Sequence, residues 1–296
     1  MNNPFVEDSR YHLIAFIIIM IWGTTFISTK VLLLNGLSPE DIFLYRFVLA
    51  YSGIWFLGKN RLFANSWKDE ITFILLGIAG GSVYFLTENY AIQITQASNV
   101  SLIVCAAPLL TAILSHIFLK GERLSRRLIQ GSFLALLGVA FVVFNGKFVL
   151  RLNPLGDLLS FCAALSWAFY TILLKQVSNR YPISFITRKV FIYGILTILP
   201  VFMFRPLTTD IRILSKPVVY LNILFLGVAA SLFCYFFWNV AVKNLGAIKT
   251  TNYVYIIPII TLIASSMVLS ETITVFAIAG MFFILSGVIW VEKRRN

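Results

Sequence analysis

Apolar residues run along this chain in long blocks separated by short polar clusters. An α-helix rises about 1.5 Å per residue, so about 20 mostly apolar residues cross the hydrocarbon core of a bilayer. Blocks of that length predict ten spans, at about 12–34, 40–58, 70–93, 98–119, 126–145, 155–176, 183–204, 218–242, 248–269 and 273–292. The clusters between them are too short to hold a soluble domain. The first block runs past Trp22 to Lys30 with no small-residue cleavage site behind it, so it is expected to be a span and not a cleaved leader. Pro108 and Pro258 fall inside the fourth and ninth spans, where they predict kinks.

Composition agrees with that pattern. Of 296 residues, 59% are hydrophobic and 12% charged, and mean hydropathy is +0.88. A soluble domain carries about 25% charge, so a soluble enzyme, a disordered tail protein and a disulfide scaffold are all excluded. Cys105, Cys162 and Cys234 lie in apolar runs and read as small core residues. The net charge of +12 does not point to nucleic acid, because the basic residues gather on one side of the predicted spans. With the N-terminus inside, fifteen Lys and Arg fall in inner loops and ends, among them Arg126, Arg127 and Arg180. Five fall outside: Lys147, Arg151, Arg205, Arg212 and Lys216. This bias predicts both termini in the cytoplasm.

The chain also aligns with itself. Trp22 and Lys30 match Trp167 and Lys175. Pro39 and Arg46 match Pro182 and Lys189. Gly77, Asn89, Ala97 and Pro108 match Gly227, Asn239, Ala247 and Pro258, and Glu122, Ser125, Gly131 and Gly138 match Glu271, Thr274, Gly280 and Gly287. Trp, Asn, Pro and Glu recurring in order indicate a duplication, with one half at 1–147 and the other at 148–296. Five spans per half is an odd number. The second half must then enter the membrane from the opposite side, giving an inverted repeat of the kind that supplies secondary transporters with inward-open and outward-open states.

These residues carry a resemblance. Trp22 in Ile-Trp-Gly-Thr-Thr-Phe, Arg46, Glu88–Ala91, Pro108, Leu119–Glu122, Gly131 and Gly138 form one copy of a pattern. Trp238–Ala241, Pro258, Leu269–Glu271, Gly280 and Gly287 form the second. The chain resembles the ten-helix EamA-type permeases of the drug/metabolite transporter superfamily over nearly its whole length. The resemblance implies an all-α membrane fold of ten transmembrane helices in two inverted five-helix repeats around a central cavity, with spans 1, 3, 6, 8 and 9 lining it. It implies transport and leaves the cargo open.

Within that frame, Glu88 is the one acid deep in a span, about 26 Å from the inner end of the third. Arg46 lies about 10 Å below the outer surface on the second. Three readings are open: an ion pair fastening the two helices, substrate or proton binding, and simple snorkelling. Glu88 is accordingly the candidate proton-coupling residue. Asn89 and Asn239 are symmetry mates that either glue helices together or meet polar substrate groups. Trp22, Tyr84, Trp167, Tyr170, Tyr235, Trp238 and Tyr253 are candidate cavity aromatics, suited to an amphipathic or aromatic solute. The glycine pairs seven apart in spans 5 and 10 read as close-packing stripes, and Glu122 and Glu271 as helix-start acids.

No enzyme signature is present. His12 and His116 lie near interfaces, and there is no Walker A run, no zinc motif and no Cys/His cluster. Neither cofactor nor metal is expected. The favoured function is secondary transport of a small organic metabolite, an amino-acid-like solute first, across the cytoplasmic (inner) membrane by alternating access in the direction of export. The expected partners are that solute, the lipid bilayer and protons, in a monomer or alternatively a homodimer. A passive channel is the alternative, and a membrane-embedded sensor or enzyme a weaker one.

Overall fold

The computed structural model describes residues 4–58, 62–95, 97–119, 125–144, 153–207, 210–269 and 274–292. They form helices α1 (Pro4–Leu34), α2 (Pro39–Ile54), α3 (Trp67–Ile94), α4 (Ala97–Val104), α5 (Ala107–Phe118), α6 (Arg126–Phe144), α7 (Pro154–Val177), α8 (Ile183–Phe204), α9 (Pro217–Leu245), α10 (Ala247–Asn252), α11 (Ile257–Leu269) and α12 (Val275–Glu292). Among the described residues, six helical stretches are long and apolar enough to cross a membrane. They are Ser9–Leu34, α3, α7, α8, α9 and Ala247–Ala264.

Local chemistry sets the boundaries. Ser38, Ser66 and Asn153 accept hydrogen bonds from Asp41 N, Asp69 N and Gly156 N and so cap α2, α3 and α7. Ser125 accepts from Leu128 N at the start of α6, while Glu122 and Glu271 lie outside the described residues. Gly36 and Gly246, both at φ +94°, turn the chain after α1 and α9 where a Cβ would strain the backbone. The two expected kinks take different forms. The fourth span breaks at Cys105–Ala106 into α4 and α5, with Pro108 in the first turn of α5, where its missing N–H costs nothing. The ninth tightens into a 3₁₀ turn at Tyr253–Ile256 just before Pro258.

Two π-helical stretches interrupt α3 at Ile78–Ser82 and α9 at Phe225–Phe233, matching places in the two halves. A π turn leaves carbonyls without their α-helical partners. Side chains from the opposite half donate to carbonyls of these stretches. Trp22 Nε1 donates to Ala230 O, Ser166 Oγ to Ala79 O and Tyr235 OH to Gly80 O.

The heaviest packing joins one half to the other. α1 lies on α9 and α11, α2 on α8 and α9, α3 on α7 and α8, α5 on α7, and α6 on α12. The last contact rests on the glycine stripes. A Cβ on Gly131 would sit 2.7 Å from Gly287 O, one on Gly287 2.6 Å from Gly131 O, and one on Gly138 2.6 Å from Gly280 O. Residue 131 meets 287 and 138 meets 280, so α6 and α12 run antiparallel at backbone contact.

Lys30 and Lys175 also behave as a pair. Lys30 Nζ donates to Ile92 O near the end of α3, and Lys175 Nζ to Lys243 O near the end of α9. Each lysine satisfies a late helix carbonyl and supports the negative end of the dipole.

Candidate functional site

A cavity of about 450 Å³, counting the space that opens from it to solvent, lies where α1, α2, α3, α4, α7, α9 and α11 converge. Its wall carries one cation and one anion, Arg46 and Glu88, set among Trp22, Phe26, Tyr84, Phe85, Trp167 and Tyr235 and closed by Thr25, Val104, Val254 and Ile257.

Arg46 is 2% exposed and Glu88 6%. They do not form the ion pair that was one reading of their sequence positions, because each is held by another group. Arg46 Nε donates to Ser231 Oγ at 3.0 Å, and its guanidinium lies 4.0 Å over the Phe85 ring. Glu88 Oε1 accepts from Tyr84 OH at 2.8 Å, one helical turn earlier on α3. The guanidinium keeps its terminal N–H groups, and Glu88 its second oxygen, for the cavity. A buried charge without a counter-ion is costly. Two opposite charges presented to one space suit a ligand that bears both signs.

The aromatic wall is continuous. Trp22 and Trp167 meet edge to face at 5.2 Å, and Tyr84 lies 5.2 Å from Trp167. Trp238, 4.9 Å from Trp22, and Tyr170, 5.0 Å from Trp167, form a fully buried second row behind them. Such rings offer apolar area and, for a cation, their π faces.

The structure thus brings Trp22, Arg46, Tyr84, Glu88, Trp167 and Tyr235 to the cavity and places the other candidates elsewhere. Trp238 and Tyr170 support the wall. Asn89 Nδ2 donates to Pro39 O and ties α3 to the start of α2. Asn239 accepts from Tyr170 OH and donates to Thr187 Oγ1, linking α7, α9 and α8. Tyr253 OH is 2.6 Å from His12 Nδ1, near the N-terminal end of α1 and away from the cavity. Asn239 is thus satisfied within the bundle, whereas Asn89 keeps a buried Oδ1 without a hydrogen-bond partner among the described residues; neither lines the cavity.

Three features escaped the sequence. Phe26 and Phe85 look like any of 27 phenylalanines. Ser231 has no motif of its own. Glu88 is also not the sole buried acid, because Glu40, Asp41, Asp69 and Glu70 are buried at helix starts. Glu70 binds Lys189, Tyr193 OH and Ala64 N. Asp69 binds Arg180 at 2.6 Å and Tyr181 OH at 2.6 Å. Beyond the cavity, toward the far end of α3, Tyr90 OH donates to Glu40 and accepts from Arg205. Serines and acids at the starts of apolar blocks were the available signal for the first of these clusters.

Comparison with known proteins agrees with this architecture. The model of the EamA-like transporter family matches residues 9–144 and again 154–292. An uncharacterized transporter of Archaeoglobus fulgidus is 26% identical over 293 residues, covering 98% of this chain and 99% of its own. An uncharacterized transporter of Bacillus subtilis is 30% identical over 232 residues, covering 75% and 73%. A protein of Salmonella typhimurium named "Probable amino-acid metabolite efflux pump" is 24% identical over 287 residues, covering 93% and 92%. A crystal structure at 19% identity superimposes with a TM-score of 0.75 over 95% of this chain and 96% of that one, which shows a shared fold. With two family matches spanning almost all of an apolar helical chain, the protein belongs to the EamA-like transporter family and is a multi-pass membrane transporter, not an enzyme.

Proposed function

We propose that this transporter moves a small amino-acid-like solute out of the cell across the cytoplasmic (inner) membrane by alternating access. The observation that carries the reading is the pair Arg46 and Glu88, both buried, both on one cavity wall and bonded to other partners. A solute carboxylate would meet the free edge of the guanidinium and its ammonium would meet Glu88, with the side chain against the rings. Ten spans in two inverted five-helix halves, with both termini cytoplasmic, are the arrangement in which this site works. The antiparallel glycine contact of α6 with α12, the paired π stretches and the matching lysine bonds support that inversion. Relatives named amino-acid metabolite efflux pumps support export.

The test is counterflow in proteoliposomes loaded with unlabelled amino acids, with the corresponding amino-acid amides and N-acetyl derivatives as controls. Labelled zwitterions should accumulate transiently, while compounds lacking either charge should not. Equal counterflow of the amides and the N-acetyl derivatives would refute a two-charge site.

A further inference from the structure

The geometry points to Ser231 as a positioning residue that aims Arg46 at the solute carboxylate, an inference that rests on the two-charge reading of the cavity. A guanidinium is planar, with an Nε edge and an edge formed by its two terminal nitrogens. Two contacts fix it here. The Phe85 ring, 4.0 Å from Cζ, packs against the group, and the Nε–H bond to Ser231 Oγ sets which way it is turned. With Nε engaged, the edge left for the cavity is the one that binds a carboxylate through two parallel hydrogen bonds.

Ser231 is well placed to impose this. It is fully buried and lies on the π stretch of α9, in the opposite half of the chain from Arg46. The residue before it, Ala230, holds Trp22 through its carbonyl. Two consecutive positions of one π turn therefore orient two cavity groups contributed by the other half. An α-helical turn would take the Ala230 carbonyl into its own ladder, and π turns occur often at functional sites. A serine serving only to fill space would not need its oxygen at the one guanidinium nitrogen that leaves the forked edge free.

The experiment measures binding to purified protein in nanodiscs by tryptophan fluorescence, since Trp22 and Trp167 line the cavity, with phenylalanine and phenylalaninamide as probes. Wild type should prefer phenylalanine. Ser231→Ala should weaken phenylalanine by about tenfold, the scale of a hydrogen bond to a charged group, and leave the amide unchanged. Ser231→Thr, which keeps an acceptor oxygen, should restore most of the preference. Equal weakening of both probes, or of neither, overturns the positioning role. Arg46→Gln separates this outcome from a failure of the site reading. If Arg46→Gln keeps the preference for phenylalanine, the two-charge site itself is wrong and the role of Ser231 falls with it. If Arg46→Gln abolishes the preference while Ser231→Ala retains it, only the positioning role is lost.

Discussion

The Glu70–Lys189 pair offers a measurable stake in how the two halves hold together. Lys189 is on α8, Glu70 is in the first turn of α3, and their side chains are 5% and 7% exposed. Replacing Lys189 with Met keeps the stem and deletes the charge, leaving a buried carboxylate. Removing one partner of a buried pair costs about 3–5 kcal/mol. Glu70 would still accept from Tyr193 OH and from Ala64 N, so the lower end, about 3 kcal/mol, is expected. At about 2–4 °C per kcal/mol for a chain of this order, the melting temperature in detergent should fall by about 6–12 °C. The double variant Glu70→Gln/Lys189→Met removes both charges and keeps an acceptor for Ala64 N. It should lie within about 3 °C of wild type, because no uncompensated ion remains. Differential scanning of wild type, the single and the double variant decides the matter. A single variant that melts with wild type, or a double that melts no higher than the single, would show that the pair is not holding the halves in this way.

Three other outcomes are expected. Gly138→Ala puts a methyl against Gly280 O and Ile284 N, both backbone atoms at 2.6 Å; it should force α6 from α12 and cost about 1–3 kcal/mol, read as a lower melting temperature, and an unchanged melt would deny the close contact. In vesicles with an imposed pH gradient, wild type should concentrate substrate and Glu88→Gln should only exchange it downhill; wild-type rates indifferent to the gradient would remove Glu88 from any coupling role. Exposed positions 179 and 210 should lie on opposite sides of the membrane, so Asp210→Cys should react with an impermeant maleimide in intact cells and Asn179→Cys should not, the reverse pattern sinking the assigned orientation.

Much of the wall was legible because its residues are conspicuous in apolar sequence. Arg46 and Glu88 are charges where charge is expensive, and Trp22, Tyr84, Trp167 and Tyr235 carry polar handles inside spans. The glycines of α6 and α12 were legible for the same reason, since a repeated spacing of seven has a direct packing meaning. Asn89, Asn239 and Tyr253 show the limit of that logic. A buried polar group announces that it needs a partner, and its partner can equally be Pro39 O, Tyr170 or His12.

By itself the sequence determined the apolar blocks, their caps and breaks, and the duplication, all of which depend on residues near one another along the chain or on direct self-comparison. Only the tertiary structure decided that Arg46 turns to Ser231 and Phe85 while Glu88 turns to Tyr84. It likewise decided that two helices carry π turns whose carbonyls are bonded from the opposite half. Those choices are made between groups as much as 208 residues apart in sequence, where the competing partners of a charged side chain differ only in which neighbour the packing brings within hydrogen-bond reach.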